Sequence, residues 1–174
     1  MKTISYTHQD QRIAELNVAA FLLVAAKYNF TVLSAWVRQP GRTPKDNYFA
    51  KGANGTAAIW DEGFRDVVFY LAAVAVDEHE GINDASTQYN QKRAQQKLKT
   101  LQHDRWADWS TTHCQNQDIE CAYDWALAEA RTLVNQNWSL IAQTAEHFRT
   151  KMKADGALRR NRLLELMTWI RKEI

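Results

Sequence analysis

The sequence has few of the residues that interrupt regular structure or cross-link small folds. Its 174 residues include two prolines, six glycines and two cysteines. Both prolines and three of the glycines fall within residues 38–57, which predicts a single long, exposed loop. Cys114 and Cys121 are too few for a disulfide framework and more widely spaced than the usual metal-binding pair. We therefore expect two reduced thiols in a cytoplasmic protein.

Long hydrophobic runs are also missing. The longest apolar stretches, Val18–Ala26 and Val67–Val76, are shorter than the roughly 18 residues that cross a bilayer. The sequence before Arg12 has no apolar segment of the kind that a secretory signal contains. We therefore expect no membrane association and interpret both apolar stretches as buried core helices.

The chain has no large excess of charge of either sign. Its net charge of +2 does not indicate a nucleic-acid-binding protein. Residues 151–174 do hold seven Lys and Arg residues against three Asp and Glu residues. We interpret this basic segment as the solvent-facing side of a last helix, with an acidic partner as the alternative.

The patterns that are present predict mainly helical structure. An apolar helix begins after His8 or Asp10, with Asp10 as the predicted N-cap, and continues to Ala26. Asn29 suits the left-handed position after it. Short β-prone runs follow at residues 30–37 and 56–60, and helical spacing continues from Asp61 to the end, with a break near residues 135–137. The predicted fold class is mainly α (α+β): one domain over residues 1–174, a helical bundle with one small β hairpin or sheet near residues 31–60.

One short acidic segment could provide metal ligands. The segment "DEHEGIND" includes His79, Glu80 and Asp84 near the end of a predicted helix. Carboxylates are mildly unfavourable at a helix C-terminus because they oppose the helix dipole, which indicates another purpose for them here. The cluster is therefore a metal-site candidate. The alternative is a solvated helix end with Gly81 just beyond it. No two histidines in the sequence have the three- or four-residue spacing of a helical zinc motif.

A second candidate site is a basic stretch next to tryptophans. Cations interleaved with aromatic rings can bind single-stranded nucleic acid by stacking. The alternative interpretation is core packing, because the two tryptophans have helical spacing. The residues concerned are Lys92, Arg93, Lys97, Lys99, Arg105, Trp106 and Trp109, with Arg159, Arg160 and Arg162 as a further basic group.

Several phrases of the sequence occur in the order of a known family. They are Arg12-Ile13-Ala14 before an apolar helix, "YLAAVAVDEHE", the Gly-x-x-Asp element "GIND", and "ARTLVNQNWSLI". This order resembles the zinc-peptidase domain of membrane-anchored AAA proteases (the FtsH type) and its small stand-alone relatives. The resemblance implies a peptidase-like helical domain over most of the chain, in which Asp84 matches the third, carboxylate zinc ligand.

The zinc-binding motif of that family, His-Glu-x-x-His, is absent here. Its positions are occupied by Leu16, Asn17 and Ala20, so two ligands and the water-activating carboxylate are replaced. A zinc site needs three protein ligands and an open position for water. The resemblance therefore implies a degenerate site, and no cofactor is predicted.

These observations predict a non-catalytic protein, a pseudoenzyme that binds and regulates or inhibits another protein. The alternatives are a metal-dependent hydrolase with a relocated site at His79, Glu80 and Asp84, and a nucleic-acid-binding protein. The predicted interface residues are Arg42, Tyr48, Phe49, Arg159, Arg160 and Arg162.

Overall fold

The structure is a computed structural model, and it describes residues 7–39, 55–59, 63–104, 114 and 118–174. Within these ranges the chain forms a mainly helical α+β domain of six helices and one three-stranded antiparallel sheet, as the sequence predicts. The helices are α1 (His8–Lys27), α2 (Arg65–His79), α3 (Ala85–Asp104), α4 (Ile119–Gln136), α5 (Trp138–Lys151) and α6 (Arg160–Glu173). The strands are β1 (Val32–Val37), β2 (Gly55–Ile59) and β3 (Ala157–Arg159).

Helix α1 is the central element of the core. Every residue from Ile13 to Ala26 is buried, because α2, α5, α6 and the sheet surround the helix. This enclosure explains why the helix is apolar on all sides. The N-cap is Thr7 rather than the predicted Asp10, which instead completes a capping box at the third helical position. The predicted left-handed residue after the helix is confirmed, with φ of 58° at Asn29.

The sheet has β1 at its centre, in the order β2-β1-β3. The antiparallel pairing of β1 with β2 confirms the predicted β element. The strand β3 corrects the sequence prediction, in which helical spacing continues from Asp61 to the end, because residues 157–159 pair with β1 before α6 begins. Strand β2 lies close against α1: a Cβ atom on Gly55 would come within 2.8 Å of the carbonyl oxygen of Ala14.

The two longest apolar stretches lie in packed helices, as predicted. Val18–Ala26 is buried within α1, and Val67–Val76 is buried within α2 apart from the half-buried Tyr70. Helix α2 packs against α1, α3 and α4. No helix in the described ranges is both long enough and apolar enough to cross a membrane.

The two cysteines correct a prediction. Cys114 and Cys121 form a disulfide, with their Cα atoms 5.8 Å apart, whereas the sequence predicts reduced thiols. Asp118 caps α4 by accepting hydrogen bonds from the backbone of Glu120 and Cys121. Cys121 therefore lies in the first turn of α4. Cys114 is buried, and Cys121 is half-buried at the edge of the core.

Candidate functional site

Three helix ends meet around an open cavity of about 490 Å³. The N-terminal turns of α1 form one wall, and the C-terminal end of α2 with the start of α3 forms the other. We call it the Asp77 cavity, after its most buried ionisable residue. The residues that line it are Thr7, Gln9, Asp10, Ile13, Ala14, Asn17, Asp77, Ile82, Asp84 and Ser86.

Asp77 links the helices of this cavity through its two carboxylate oxygens. The Asn17 amide nitrogen donates to Oδ1 at 2.9 Å, and the Thr87 hydroxyl donates to Oδ2 at 2.6 Å. The carboxyl group is buried, with 1% of the residue exposed. Burial raises the pKa of Asp77 to about 6, although the hydrogen bonds from Thr87 and Asn17 oppose the shift; the charges of Asp84 and Glu78 add to it. Asp77 is therefore held in a fixed position between α1 and α3.

Asp84 has a structural role at the start of α3. Its Oδ1 accepts hydrogen bonds from the backbone N–H groups of Ser86 at 2.8 Å and Thr87 at 3.1 Å. The Asp84 backbone N–H donates in turn to the Thr87 hydroxyl at 3.2 Å. Asp84 thus satisfies free N–H groups of the first turn while its exposed carboxylate lies at the cavity.

Two buried polar atoms beside the cavity have no hydrogen-bond partner among the described residues. They are Oδ1 of Asn17 and Oγ of Ser86, in residues that are 3% and 4% exposed. The amide nitrogen of Asn17 must face the carboxylate of Asp77, so its oxygen is left as an acceptor. Buried groups of this kind usually have partners, and an unpaired one costs about 1–3 kcal/mol. Both residues belong to the lining of the Asp77 cavity.

The three positions of the degenerate motif do not share one environment. Asn17 lines the cavity, whereas Leu16 and Ala20 are buried in the core and do not line it. The structure nevertheless brings Asn17 and Asp84 to the same cavity, although they are far apart in the sequence. Asp77 is the first residue of the acidic segment, but the metal-site candidates predicted from the sequence are His79, Glu80 and Asp84. The spacing of Asp77, three and four residues from the buried Val74 and Ala73, is the signal that it faces inward.

The proposed metal ligands are not brought together. The ring of His79 lies on that of Trp138, with centroids 3.9 Å apart, and Glu80 forms an ion pair with Arg12 at 3.1 Å. Asp84 is the helix cap described above. Across the described ranges, no three His, Cys, Asp or Glu side chains form a group that could hold a metal ion.

Two of the cations proposed for nucleic-acid binding make contacts within the protein. Lys97 forms an ion pair with the buried Asp66 at 2.9 Å, and the guanidinium of Arg93 lies 4.3 Å from the centre of the Tyr70 ring. Lys92 and Lys99 are exposed on α3. The remaining members of this group, Arg105, Trp106 and Trp109, lie outside the described residues.

The predicted interface arginines lie at the surface around the start of α6. Arg159 pairs with Asp155 at 2.8 Å, and Arg162 donates to the backbone oxygen of Lys151 at 3.0 Å. Arg160 is exposed and has a left-handed backbone, with φ of 52°. The other predicted interface residues, Arg42, Tyr48 and Phe49, lie outside the described residues.

Comparison with known proteins adds no identification. No protein-family model and no curated protein matches this sequence. The resemblance to the zinc-peptidase domain therefore stays a prediction, and function has to be inferred from the geometry of the Asp77 cavity.

Proposed function

We propose that this chain is a non-catalytic regulatory or inhibitory protein that binds another protein by taking one of its side chains into the Asp77 cavity. The observation that supports this proposal is the cavity itself, open to solvent and lined by polar groups held in place by internal hydrogen bonds. Its volume of about 490 Å³ lies within the range of ordinary ligand sites. Such a volume is large enough for one inserted side chain.

The contacts of Asp77 and Asn17 favour holding a ligand over transforming one. Both carboxylate oxygens of Asp77 already accept hydrogen bonds from protein donors. If the resemblance is valid, Asn17 stands where the family has its water-activating glutamate. An amide does not accept a proton at neutral pH, so it can bind and orient but cannot act as a general base.

The mouth of the cavity is preorganised. The Thr7 backbone N–H donates to Oδ2 of Asp10 at 2.6 Å, and the Asp10 N–H donates to the Thr7 hydroxyl at 3.2 Å. These reciprocal bonds fix the first turn of α1 beside the exposed Gln9. A mouth that is ordered in the free protein loses less conformational entropy when a partner binds.

The two alternative functions receive less support. A relocated hydrolase site would require His79, Glu80 and Asp84 to leave three separate sets of contacts. Nucleic-acid binding would require Arg93 and Lys97 to leave Tyr70 and Asp66. No contact among the described residues favours either rearrangement.

The cytoplasmic location predicted from the sequence depends in part on reduced thiols. Disulfides persist in oxidising compartments and are uncommon in the cytoplasm. Because Cys114 and Cys121 form a disulfide, reduced thiols do not support a cytoplasmic location. Counting free thiols in protein isolated from its natural source distinguishes the two kinds of compartment.

A photo-crosslinking residue at the cavity mouth tests the proposed function. Benzoylphenylalanine replaces Gln9, an exposed residue of the cavity lining, in one variant and Gln95, an exposed residue of α3 outside the lining, in the matched control. We expect irradiation in an extract of the source cells to give a discrete adduct from position 9 and not from position 95. The cross-linked protein, once identified, is then purified and mixed with the unlabelled chain.

The mixture separates binding from catalysis. We expect a one-to-one complex in which the mass of the partner is unchanged. Adding Gln9→Arg, which places a long side chain at the mouth, should abolish the complex, whereas Gln95→Arg should not. A partner that binds both variants equally, or that is cleaved, would refute the proposal.

A further inference from the structure

We propose that the group taken into the Asp77 cavity is a cation, the guanidinium or ammonium of an arginine or lysine side chain on the partner. This inference rests on the proposed function and adds the chemistry of the ligand. Three carboxylates line the cavity, those of Asp10, Asp77 and Asp84. Among the described residues of the lining there is no lysine or arginine to form an ion pair with these carboxylates.

The two unpaired acceptors provide a second, independent reason. Oδ1 of Asn17 can only accept hydrogen bonds, and the hydroxyl oxygen of Ser86 can also accept. Both residues are more than nine-tenths buried and belong to the lining. A guanidinium carries five N–H donors and an ammonium carries three, whereas neither has an acceptor. Cationic N–H groups therefore match both the charge of the lining and its unmet hydrogen bonds.

Two arginines pair with carboxylates at the end of α2. Arg12, on α1, forms an ion pair with Glu80 at 3.1 Å, and Arg131, on α4, binds Glu78 with two hydrogen bonds of 2.7 and 2.8 Å. These contacts neutralise the carboxylates beside Asp77 in the sequence. Neither of these two ion pairs includes a carboxylate of the cavity lining.

The side chain of the ligand can enter along an apolar wall. Ile13, Ala14 and Ile82 belong to the lining, beside the carboxylates. The aliphatic part of an arginine or lysine can pack on such a surface while its charged end meets the polar groups. A small anion would make no contact with the apolar wall. A purely apolar group would make no hydrogen bond with the polar groups.

A titration with small probes tests the inference without the natural partner. The full chain, labelled with ¹⁵N, is titrated with butylguanidinium, with butylammonium and with butylurea, which is neutral and similar in shape to butylguanidinium. We expect both cations to shift the amide signals of Asn17, Asp84 and Ser86, and butylurea to shift them at least tenfold more weakly at equal concentration. Asp84→Asn, which keeps the helix cap, should weaken cation binding about fivefold.

A control variant distinguishes specific from general charge effects. Asp124→Asn removes an exposed carboxylate of α4 outside the lining and should leave cation binding unchanged. Butylurea that binds as well as the cations would overturn the cationic ligand while leaving a binding cavity in place. Cations that shift no signal of the lining, or that bind Asp84→Asn and Asp124→Asn equally well, would also overturn it. The experiment with Gln9→Arg and the partner tests the proposed function and does not depend on the small probes. Failure of the cationic ligand can therefore be distinguished from failure of the proposed function.

Discussion

Asn17 and Asp77 lie sixty positions apart in the sequence and share a buried hydrogen bond of 2.9 Å. The bond joins the central helix α1 to the end of α2, and both residues line the cavity. One residue supplies an amide and the other a carboxylate. The pair determines the shape of the cavity and part of its charge.

Replacing Asn17 by alanine should destabilise the protein. The change removes a donor from the buried carboxylate of Asp77, and an unpaired buried group costs about 1–3 kcal/mol. Urea unfolding at pH 7 measures the effect. Asn135→Ala, at an exposed position of α4, is the matched control and should change stability by less than about 0.5 kcal/mol. Equal losses in the two variants would show that the Asn17–Asp77 bond contributes nothing specific.

The contribution of Asp77 to stability should decrease as the pH rises from about 4 to about 6. The pKa of Asp77 is about 6 in the folded protein, above its ordinary value of 3.8. In this pH window the folded state therefore retains a proton that the unfolded state has lost. The contribution is fully present below pH 4 and is lost above pH 6, and a shift of this size corresponds to about 2–3 kcal/mol.

Asp77→Asn isolates this contribution, because other carboxyl groups titrate equally in both proteins. The substituted amide cannot ionise, and its oxygen can still accept a hydrogen bond from the Asn17 side chain. We expect the variant to gain about 2–3 kcal/mol relative to the native protein between pH 4 and pH 7. Thermal unfolding across this range is the measurement. A constant difference between the two proteins would contradict the raised pKa.

The ion pair of Glu15 with Arg149 should contribute more than an exposed one. Glu15 is 1% exposed, and Arg149 contacts its Oε2 at 2.6 Å. Arg149→Gln leaves a buried carboxylate without its cation and should cost about 2 kcal/mol, less than for a fully buried pair because Arg149 is half-exposed. Arg159→Gln, which breaks an exposed pair with Asp155, should cost less than about 1 kcal/mol. Chemical denaturation of both variants would refute this ranking if their losses were equal.

Breaking the disulfide should lower stability without changing the ligand site. The bond closes a short loop between Cys114 and Cys121, and constraint of the unfolded chain by such a loop contributes about 2 kcal/mol. The variant with both cysteines replaced by serine should unfold at a lower urea concentration. Its cation binding should be unchanged, because neither cysteine lines the cavity. Two reactive thiols in native, non-reduced protein would contradict the pairing.

The sequence predicts those parts of the fold that depend on local pattern. Uniform apolar character marks α1 as a core helix, and Asn29 and Gly81 occupy left-handed positions just after helices. Strand β3 is not predictable in the same way, because three residues show no periodicity and their pairing partner lies more than a hundred positions earlier. Only the tertiary fold brings these residues to β1.

The candidate site is predicted only in part. The resemblance draws attention to Asn17 and Asp84, which do line one cavity. The acidic segment directs attention to His79 and Glu80, which contact Trp138 and Arg12 instead. Asp77 links the helices around the cavity, yet in the sequence it looks like another acidic residue at a helix end. Its burial depends on how α1 and α3 pack around α2, and composition does not contain that information.

Titration of the cross-linked partner, followed by its intact mass, tests the non-catalytic binding role most directly. The native chain and Gln95→Arg should each form a one-to-one complex with the partner, Gln9→Arg should form none, and the partner should keep its full mass after prolonged incubation. Loss of mass from the partner, or equal binding by Gln9→Arg, would show that the Asp77 cavity is not the binding site of a non-catalytic protein.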